Sequence, residues 1–196
     1  IGNIKFAENN NKVNEKLNES LNSELGKKKI WVASSTHKNE EIFCAKSHLE
    51  LKKKIKNLIT IIIPRHVHRS EEIKKKIEKL GLNVEIHSSN KKIHPKTDFY
   101  LVNTYGELNK FYKISYMVFM GGSLIDRGGQ NPLEAAKLGC KIIHGPHVSN
   151  FKEIYGKLET LEISKKFLDY NYGSKLIESE NIKKQNNFNN KKLINY

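Results

Sequence analysis

The stretch of sequence that decides the fold runs from residue 119 to residue 146 and reads FMGGSLIDRGGQNPLEAAKLGCKIIHGP. It continues an apolar run, Tyr116–Met120, which breaks into Gly121-Gly122-Ser123. A polar loop with a second glycine pair, Gly128-Gly129, follows. An apolar run that ends abruptly in glycines is typical of a buried strand that enters a loop.

The second half of this stretch predicts a short helix and another strand. Asn131 and Pro132 are residue types that favour the N-cap and the first position of a helix, and Gly139 is the type that favours its end. A new apolar run, Ile142-Ile143, then ends in Gly145-Pro146. Strand, loop, helix and strand in succession predict one β-α-β unit of an α/β fold.

The loop before this helix is a candidate anion site. The first N–H groups of a helix have no partner within the helix, and here they lie beside flexible glycine backbone. Glu134 lies one turn inside the helix, near enough to meet hydroxyl groups next to a bound phosphate. The alternative is that the glycines only form turns. The stretch is not a Walker A loop, because no Gly-Lys-Ser/Thr sequence follows, and it lacks the dinucleotide fingerprint.

Two strands predicted further upstream also end in polar residues. Leu58–Ile63 is an unbroken apolar run, as in a central strand covered on both faces, and it ends in Pro64 and Arg65. Ligands bind at the carboxyl ends of strands in such sheets, so Arg65 is either an ordinary surface charge or a phosphate ligand. Ile30–Ala33 ends at Ser34-Ser35-Thr36, whose hydroxyl groups either cap the next helix or bind a ligand.

The alternation of strands and helices predicts a doubly wound, Rossmann-like parallel sheet of about six strands. Two more short strands are expected at Val84–His87 and Phe99–Val102, and the second runs into a polar loop before the next helix. The longer helices are expected at residues 39–56 and 70–80, and a short one at 150–156. From residue 160 onward the periodicity is lost.

The charge of the chain leaves several partners open. Its 196 residues carry a formal net charge of +14, with a mean hydropathy of −0.62. The lysines form blocks such as Lys27–Lys29 and Lys52–Lys54, without the interleaved aromatic residues of a base-stacking surface. Solvated helix faces are therefore the favoured interpretation, and an anionic membrane surface comes second. A basic nucleic-acid-binding module and a non-catalytic interaction domain stay open as alternatives.

Several other classes of protein are not indicated. No apolar run approaches the roughly 18 residues of a membrane span, and the polar start does not resemble a signal peptide. Cys44 and Cys140 lie far apart, and we expect two buried thiols in a reducing cytoplasm. His66 and His68 lack a third ligand at a suitable spacing, so no metal site is expected.

At this point a resemblance to a known family becomes visible. The stretch GGSLIDRGGQNPLEAAKLGCKIIHGPHVSNF closely resembles the nucleotide-sugar-binding half of the 3-deoxy-D-manno-octulosonic acid (Kdo) transferases. Further matches lie upstream, in the same order: ASSTHKNEE at 33–41, PRH at 64–66 and YGEL at 105–108. Together they cover roughly residues 30 to 155. As an ordered set they are far more specific than any one alone.

The resemblance implies a fold and an activity. The domain should be the C-terminal half of a GT-B glycosyltransferase that transfers Kdo from CMP-Kdo to a lipid A precursor, with inversion and without metal or cofactor. The chain begins with Ile1 rather than Met, and we expect a piece of a longer protein. The catalytic base and the acceptor site should belong to a preceding half, so the piece alone should bind donor without turnover. The expected location is the cytoplasmic face of the bacterial inner membrane.

The resemblance also implies roles for individual residues. Arg65 should meet the donor phosphate, as its charge and strand-end position also suggest, and Glu134 should bind the ribose hydroxyls. Backbone groups of Tyr105, Gly106 and Glu107 should line the cytidine pocket. The remaining donor-binding residues expected are Pro64, Gly122, Ser123, Asn131, Pro132 and Leu133, with Ser34, Ser35 and Thr36 as further candidates.

The expected domain organisation has three parts. Residues 1–28 should form a linker with a helical lead-in, because Val13, Leu17, Leu21 and Leu25 recur every four residues. Residues 29–160 should form the nucleotide-sugar-binding domain. Residues 161–196 are rich in Lys and Asn, and we expect them to be partly helical or disordered.

Overall fold

The structure is a computed structural model that describes residues 17–88 and 92–167, together with Lys175. The strands in this part of the chain are β1 (Lys29–Thr36), β2 (Leu58–Pro64), β3 (Val84–Ile86), β4 (Phe99–Leu101), β5 (Met117–Met120), β6 (Lys141–His144) and β7 (Ser164–Lys166). The α-helices are α1 (Glu19–Gly26), α2 (Glu40–Lys52), α3 (Ser70–Glu78), α4 (Leu108–Tyr112), α5 (Leu133–Lys137) and α6 (Lys152–Thr160). Short 3₁₀ helices lie at Val67–Arg69 and Ser149–Phe151.

The described strands form a single parallel sheet in the order β3-β4-β2-β1-β5-β6-β7. The chain first builds outward from β1 through β2, and then returns to add β5, β6 and β7 on the other side of β1. This reversal is the hallmark of a doubly wound sheet. The predicted fold class is therefore confirmed, with one strand more than the six expected.

Two apolar cores cover the two faces of the sheet. On β2, Ile59, Ile61 and Ile63 pack into one core and Ile62 into the other, because successive side chains of a strand point to opposite faces. The first core is closed by α1, α4, α5 and α6, and the second by α2 and α3. Every residue of β2 is buried, as its unbroken apolar run predicts.

The lead-in helix is part of the first core. Leu21 and Leu25 of α1 are buried there, and Leu17 packs against its margin. Val13, the first residue of the predicted stripe, lies outside the described residues. The Asn18 side chain caps the helix by accepting the Ser20 N–H at 2.9 Å.

The sheet continues beyond residue 160, where the sequence pattern predicts the end of the domain. The last strand pairs with β6 and brings Phe167 into the second core, where its ring stacks on Phe43 at 4.8 Å between centroids. Two of its three residues are exposed lysines, Lys165 and Lys166, so no hydrophobic periodicity marks it. Most of the predicted C-terminal segment lies outside the described residues.

Two further features bear on the sequence predictions. Cys44 and Cys140 are both buried free thiols, as expected. None of the helices in the described ranges is long and apolar enough to cross a membrane.

Candidate functional site

The candidate site lies where the strand order reverses, between the carboxyl ends of β1 and β5. In open α/β sheets a crevice forms at this point, because the connections leave the two central strands in opposite directions. Ser34–His37 follows one strand and Gly121–Ser123 follows the other. The carboxyl end of β2 lies next to that of β1. Arg65, which follows β2, donates its backbone N–H to the Thr36 carbonyl at 3.0 Å.

The end of β1 has an irregular backbone. Ser34 pairs with Ile63 and Thr36 with Pro64, so Ser35 is an extra residue that bulges from the ladder, with a φ of +53°. Left-handed φ values are uncommon for residues other than glycine and mark locally strained backbone. Gly121 lies directly against this bulge, where a Cβ would overlap the Ser35 carbonyl group. The first glycine of the pair is therefore required for close approach of the two strand ends.

A buried carboxylate ties the two strand ends together. Glu40, in the first turn of α2, accepts hydrogen bonds from four backbone N–H groups: His37 at 2.9 Å, Gly122 at 2.7 Å, Ser123 at 3.1 Å and Leu124 at 3.0 Å. Burial raises the pKa of this carboxyl above its usual value, and the four N–H groups oppose that shift. The N–H groups of the glycine loop form an anion-binding concavity that Glu40 already fills.

This arrangement changes the interpretation of two predicted ligand residues. The N–H groups of Gly122 and Ser123 are committed to Glu40. The Ser123 side chain is also buried, and its hydroxyl oxygen accepts the Gly145 N–H at 2.9 Å. Gly122 has a different role: its φ of +67° lies in the left-handed region that favours glycine.

Ser34 does not face the site either. Its side chain is fully buried, and its hydroxyl is hydrogen-bonded to the hydroxyl of Tyr112 at 2.6 Å. This bond joins β1 to α4 inside the first core. The structure therefore favours the structural interpretation of Ser34, while Ser35 and Thr36 remain at the strand end.

A group of basic side chains surrounds this strand end. We call His37, Arg65, His66 and Arg127 the cationic cluster. The rings of His37 and His66 meet edge to face at 5.8 Å between centroids. Burial lowers the pKa of His37, and electrostatic interactions with His66, Arg127, Arg65 and Arg69 lower it further. Arg65 is exposed, whereas Arg69 is paired with Glu41 at 2.8 Å.

Two polar atoms at the cationic cluster are buried and have no hydrogen-bond partner within residues 17–88 and 92–167. They are Oγ1 of Thr36 and Nε2 of His37, on consecutive residues at the end of β1. Buried polar atoms are nearly always satisfied in folded proteins, and an unsatisfied one calls for an explanation, such as a ligand. A negatively charged ligand that accepts hydrogen bonds suits both the charge and these two atoms.

At the predicted helix start, Asn131 caps the helix as expected, but Glu134 does not complete a capping box. The Asn131 side chain accepts the Leu133 N–H at 3.0 Å, which is a capping interaction. Among the described residues, no hydrogen bond joins the Glu134 carboxylate to the Asn131 N–H, so the capping box is not formed. Glu134 is exposed on the first turn of α5.

The loop after β4 presents an aromatic side chain and a tethered carboxylate. Tyr105 is 71% exposed, and Gly106 has a φ of +82°. Glu107 accepts hydrogen bonds from the Thr104 hydroxyl and from Lys110, and its Oε2 lies 3.1 Å from His87 Nε2. The carboxylate of Glu107 is thus occupied by protein groups.

Sequence reasoning missed the central carboxylate and part of the cationic cluster. Glu40 and His37 lie within the matching stretch at 33–41 and Arg127 within the glycine-rich stretch, but no role is predicted for any of them. The available signal was an acidic residue in the first turn of a helix that follows a strand end. In the described part of the chain, no group of three or more His, Cys, Asp or Glu is arranged to hold a metal ion.

Comparison with known proteins places this geometry in a family, although no family model matches the chain. Over 133 residues it is 39% identical to a probable 3-deoxy-D-manno-octulosonic acid transferase, mitochondrial, of Arabidopsis thaliana, covering 67% of this chain and 30% of that protein. Over 129 residues it is 37% identical to the 3-deoxy-D-manno-octulosonic acid transferase of Haemophilus influenzae, covering 66% of this chain and 30% of that protein. The chain thus spans about 30% of the length of these curated relatives.

The fold gives the same answer. The structure matches the crystal structure of the C-terminal CMP-Kdo binding domain of WaaA from Acinetobacter baumannii, with a TM-score of 0.75 and 27% sequence identity, over 81% of this chain and 84% of that one. These comparisons lend no support to the nucleic-acid-binding alternative. The resemblance seen in the sequence is confirmed: the chain belongs to the 3-deoxy-D-manno-octulosonic acid transferase family, and its fold is that of the C-terminal domain of WaaA.

Proposed function

We propose that the carboxyl edge of this sheet binds CMP-Kdo through its CMP part. The matched domain is named for CMP-Kdo binding, and the relatives are named as transferases of the same sugar acid. The observation that carries the proposal is the cationic cluster with two unsatisfied buried atoms, Thr36 Oγ1 and His37 Nε2. A phosphate placed there supplies both the negative charge and the hydrogen-bond acceptors that these groups lack.

The proposed contacts follow from the positions of the strand ends. Arg65, exposed after the buried strand β2, meets the phosphate, and Pro64 fixes the point at which the chain leaves the sheet. Glu134 is exposed and binds the ribose hydroxyls. Asn131–Leu133 approaches the phosphate region, and the backbone of residues 105–107 lines the cytidine pocket.

The positive charge has a chemical consequence beyond binding. In CMP-Kdo the phosphate is a diester with one negative charge. When the bond to the sugar breaks, CMP leaves as a phosphate monoester that approaches two negative charges near neutral pH. Arg65 and the other members of the cationic cluster therefore interact more strongly with the departing group than with the bound donor, and a differential of this kind lowers the barrier.

The proposal extends to the activity of the whole protein. The whole protein transfers Kdo to a lipid A precursor with inversion and without metal or cofactor. It acts at an anionic membrane surface on the cytoplasmic face of the bacterial inner membrane. The base and the acceptor site lie in an N-terminal half outside these residues. Within this chain, the donor-binding domain begins near residue 29 and follows the helical lead-in, and β7 belongs to it.

The test is a calorimetric titration of the purified chain with CMP, UMP and an oligonucleotide. We expect CMP to bind in preference to UMP. Equal binding of both, or no detectable binding of either at millimolar concentration, would count against a cytidine site. Affinity for the oligonucleotide that rises with its length and falls steeply with salt would favour the nucleic-acid-binding alternative instead.

A further inference from the structure

His37 holds an unusual position within the cationic cluster. The ring edge that carries Nε2 lies 3.5 Å from the point where a Cβ on Gly122 would stand. Its backbone N–H is held by Glu40 at 2.9 Å, so the residue is fixed relative to both strand ends. Nε2 itself is buried and has no hydrogen-bond partner in the part of the chain that the structure describes. The backbone of His37 is thus held in place, and one of its ring nitrogen atoms lacks a hydrogen-bond partner among the described residues.

The charges that face this ring are almost all positive. The loop after β2 and its 3₁₀ helix contribute Arg65, His66 and Arg69, and the loop after β5 contributes Arg127. The nearby carboxylate is that of Glu40 on α2, and its oxygens are engaged by backbone N–H groups. Burial and these cations lower the pKa of His37, which keeps the imidazole neutral at physiological pH.

We propose that His37 is a direct ligand of the donor phosphate and takes up a proton when the phosphate binds. This inference rests on the proposed function and adds a residue and a proton to it. A bound phosphate counteracts the positive charge that disfavours imidazolium, most strongly as the dianion of CMP, and protonated Nε2 donates a charge-assisted hydrogen bond to a phosphate oxygen. The proton comes from solvent, and no covalent bond forms or breaks.

Proton uptake has a measurable consequence. Between the pKa of His37 in the free protein and its higher pKa in the complex, CMP affinity falls by up to about tenfold for each unit of rising pH. The second ionisation of CMP, with a pKa of about 6, acts in the opposite direction at lower pH. The experiment therefore belongs above pH 7, where CMP is already a dianion.

The test is titration calorimetry with CMP at pH 7.5 in two buffers of different ionisation enthalpy, Tris and HEPES. For the unmodified chain we expect the apparent binding enthalpy to differ between the buffers by the amount that corresponds to uptake of a fraction of a proton. His37→Gln should bind CMP more weakly and show the same enthalpy in both buffers. His68→Gln, an exposed histidine on the neighbouring 3₁₀ helix, is the matched control and should retain the uptake.

Each outcome separates this inference from the proposed function. CMP binding by the unmodified chain without proton uptake would overturn the role of His37 and leave the CMP site standing, even if His37→Gln were too unstable to study. Uptake that persists in His37→Gln would also overturn it, because the proton would then reside elsewhere. Absence of CMP binding would overturn the proposed function and this inference with it.

Discussion

The carboxylate of Glu40 accepts the backbone N–H of Gly122 at 2.7 Å, across 82 positions of sequence. With three further N–H groups bound, the carboxylate occupies the concavity that a glycine loop at a strand end offers to anions. In the phosphate site that we propose at this edge, the expected ligands are therefore side chains, above all Arg65 and His37, rather than the glycine backbone. The glycines allow close approach of the strand ends, and the hydrogen bonds of Glu40 hold these strand ends together.

This relationship predicts a stability effect. Glu40→Gln replaces an acceptor oxygen with an NH₂ group that faces backbone donors, so buried N–H groups lose their partner at a cost of about 1–3 kcal/mol. We expect a clearly lower melting temperature and weaker CMP binding. Glu71→Gln, in the exposed first turn of α3, is the matched control and should change stability by less than about 0.5 kcal/mol. Glu40→Gln that melts like the unmodified chain would show that the four hydrogen bonds contribute little.

A second prediction concerns pH and the amino edge of the sheet. His48 is buried, with Nδ1 hydrogen-bonded to the Thr60 hydroxyl at 2.7 Å and Nε2 3.5 Å from Asp98. Burial lowers the pKa of His48, and Asp98 opposes the shift only in part. The unfolded chain therefore binds the proton more readily, so the stability contributed at neutral pH is lost as pH falls below about 6.5.

The free energy of unfolding should accordingly be lower at pH 5.5 than at pH 7.5, by at most about 1.4 kcal/mol per pH unit for each such group. His37 and His87, whose pKa values are also lowered by burial, act in the same direction. Urea titrations at the two pH values measure the difference. His48→Gln should reduce it, whereas His68→Gln should not. A stability that rises on acidification through this range would contradict the assignment.

A third prediction concerns Glu134, whose carboxylate is exposed and makes no capping box in the described residues. Glu134→Gln should therefore keep its melting temperature but lose roughly tenfold in CMP affinity, about 1.4 kcal/mol, because an amide is a weaker acceptor for two hydroxyls. The 2′,3′-dideoxy analogue of CMP is the internal control: it should bind poorly and should hardly distinguish the variant from the unmodified chain. If the variant binds CMP normally, Glu134 has no ribose role.

A fourth prediction is that this chain alone does not transfer Kdo. In the proposed function the catalytic base belongs to a preceding half, so we expect CMP-Kdo to bind without being consumed in the presence of a lipid A precursor. An assay for CMP release with rigorously purified chain checks this. Reproducible turnover would require a base within these residues, and Glu107, Glu134 and Asp126 would be the first to substitute.

Much of the fold could be predicted because local sequence carries it. The unbroken apolar run Leu58–Ile63 predicts a strand that is covered on both faces. The glycine-rich stretch after Tyr116–Met120 predicts the end of a strand. By contrast, β7 could not be predicted from local sequence, because it is a strand through its pairing with β6. Its exposed lysines give no pattern to read.

The site was predictable only in part, for a related reason. Arg65 comes directly after the last residue of β2, so its position at a strand end could be inferred from the local sequence. The role of Glu40 depends on contacts with Gly122 and Ser123, which lie more than 80 positions away and meet it only in the folded state. Ser34 was a candidate ligand because a serine hydroxyl can bind one. In the folded chain, however, that hydroxyl is hydrogen-bonded to the hydroxyl of Tyr112 inside the core.

The central claim, that the cationic strand end binds the donor phosphate, is tested most directly by comparing two substitutions in one CMP titration. Arg65→Ala should weaken binding by roughly 1.5–3 kcal/mol, the range for a charge-assisted hydrogen bond. Lys53→Ala removes a positive charge that is paired with Glu50 at the exposed end of α2, and it should leave affinity nearly unchanged. A large loss for Arg65 alone is the result that we predict; an equal loss for both would mean that CMP senses only the basic surface, and would contradict a phosphate site at this strand end.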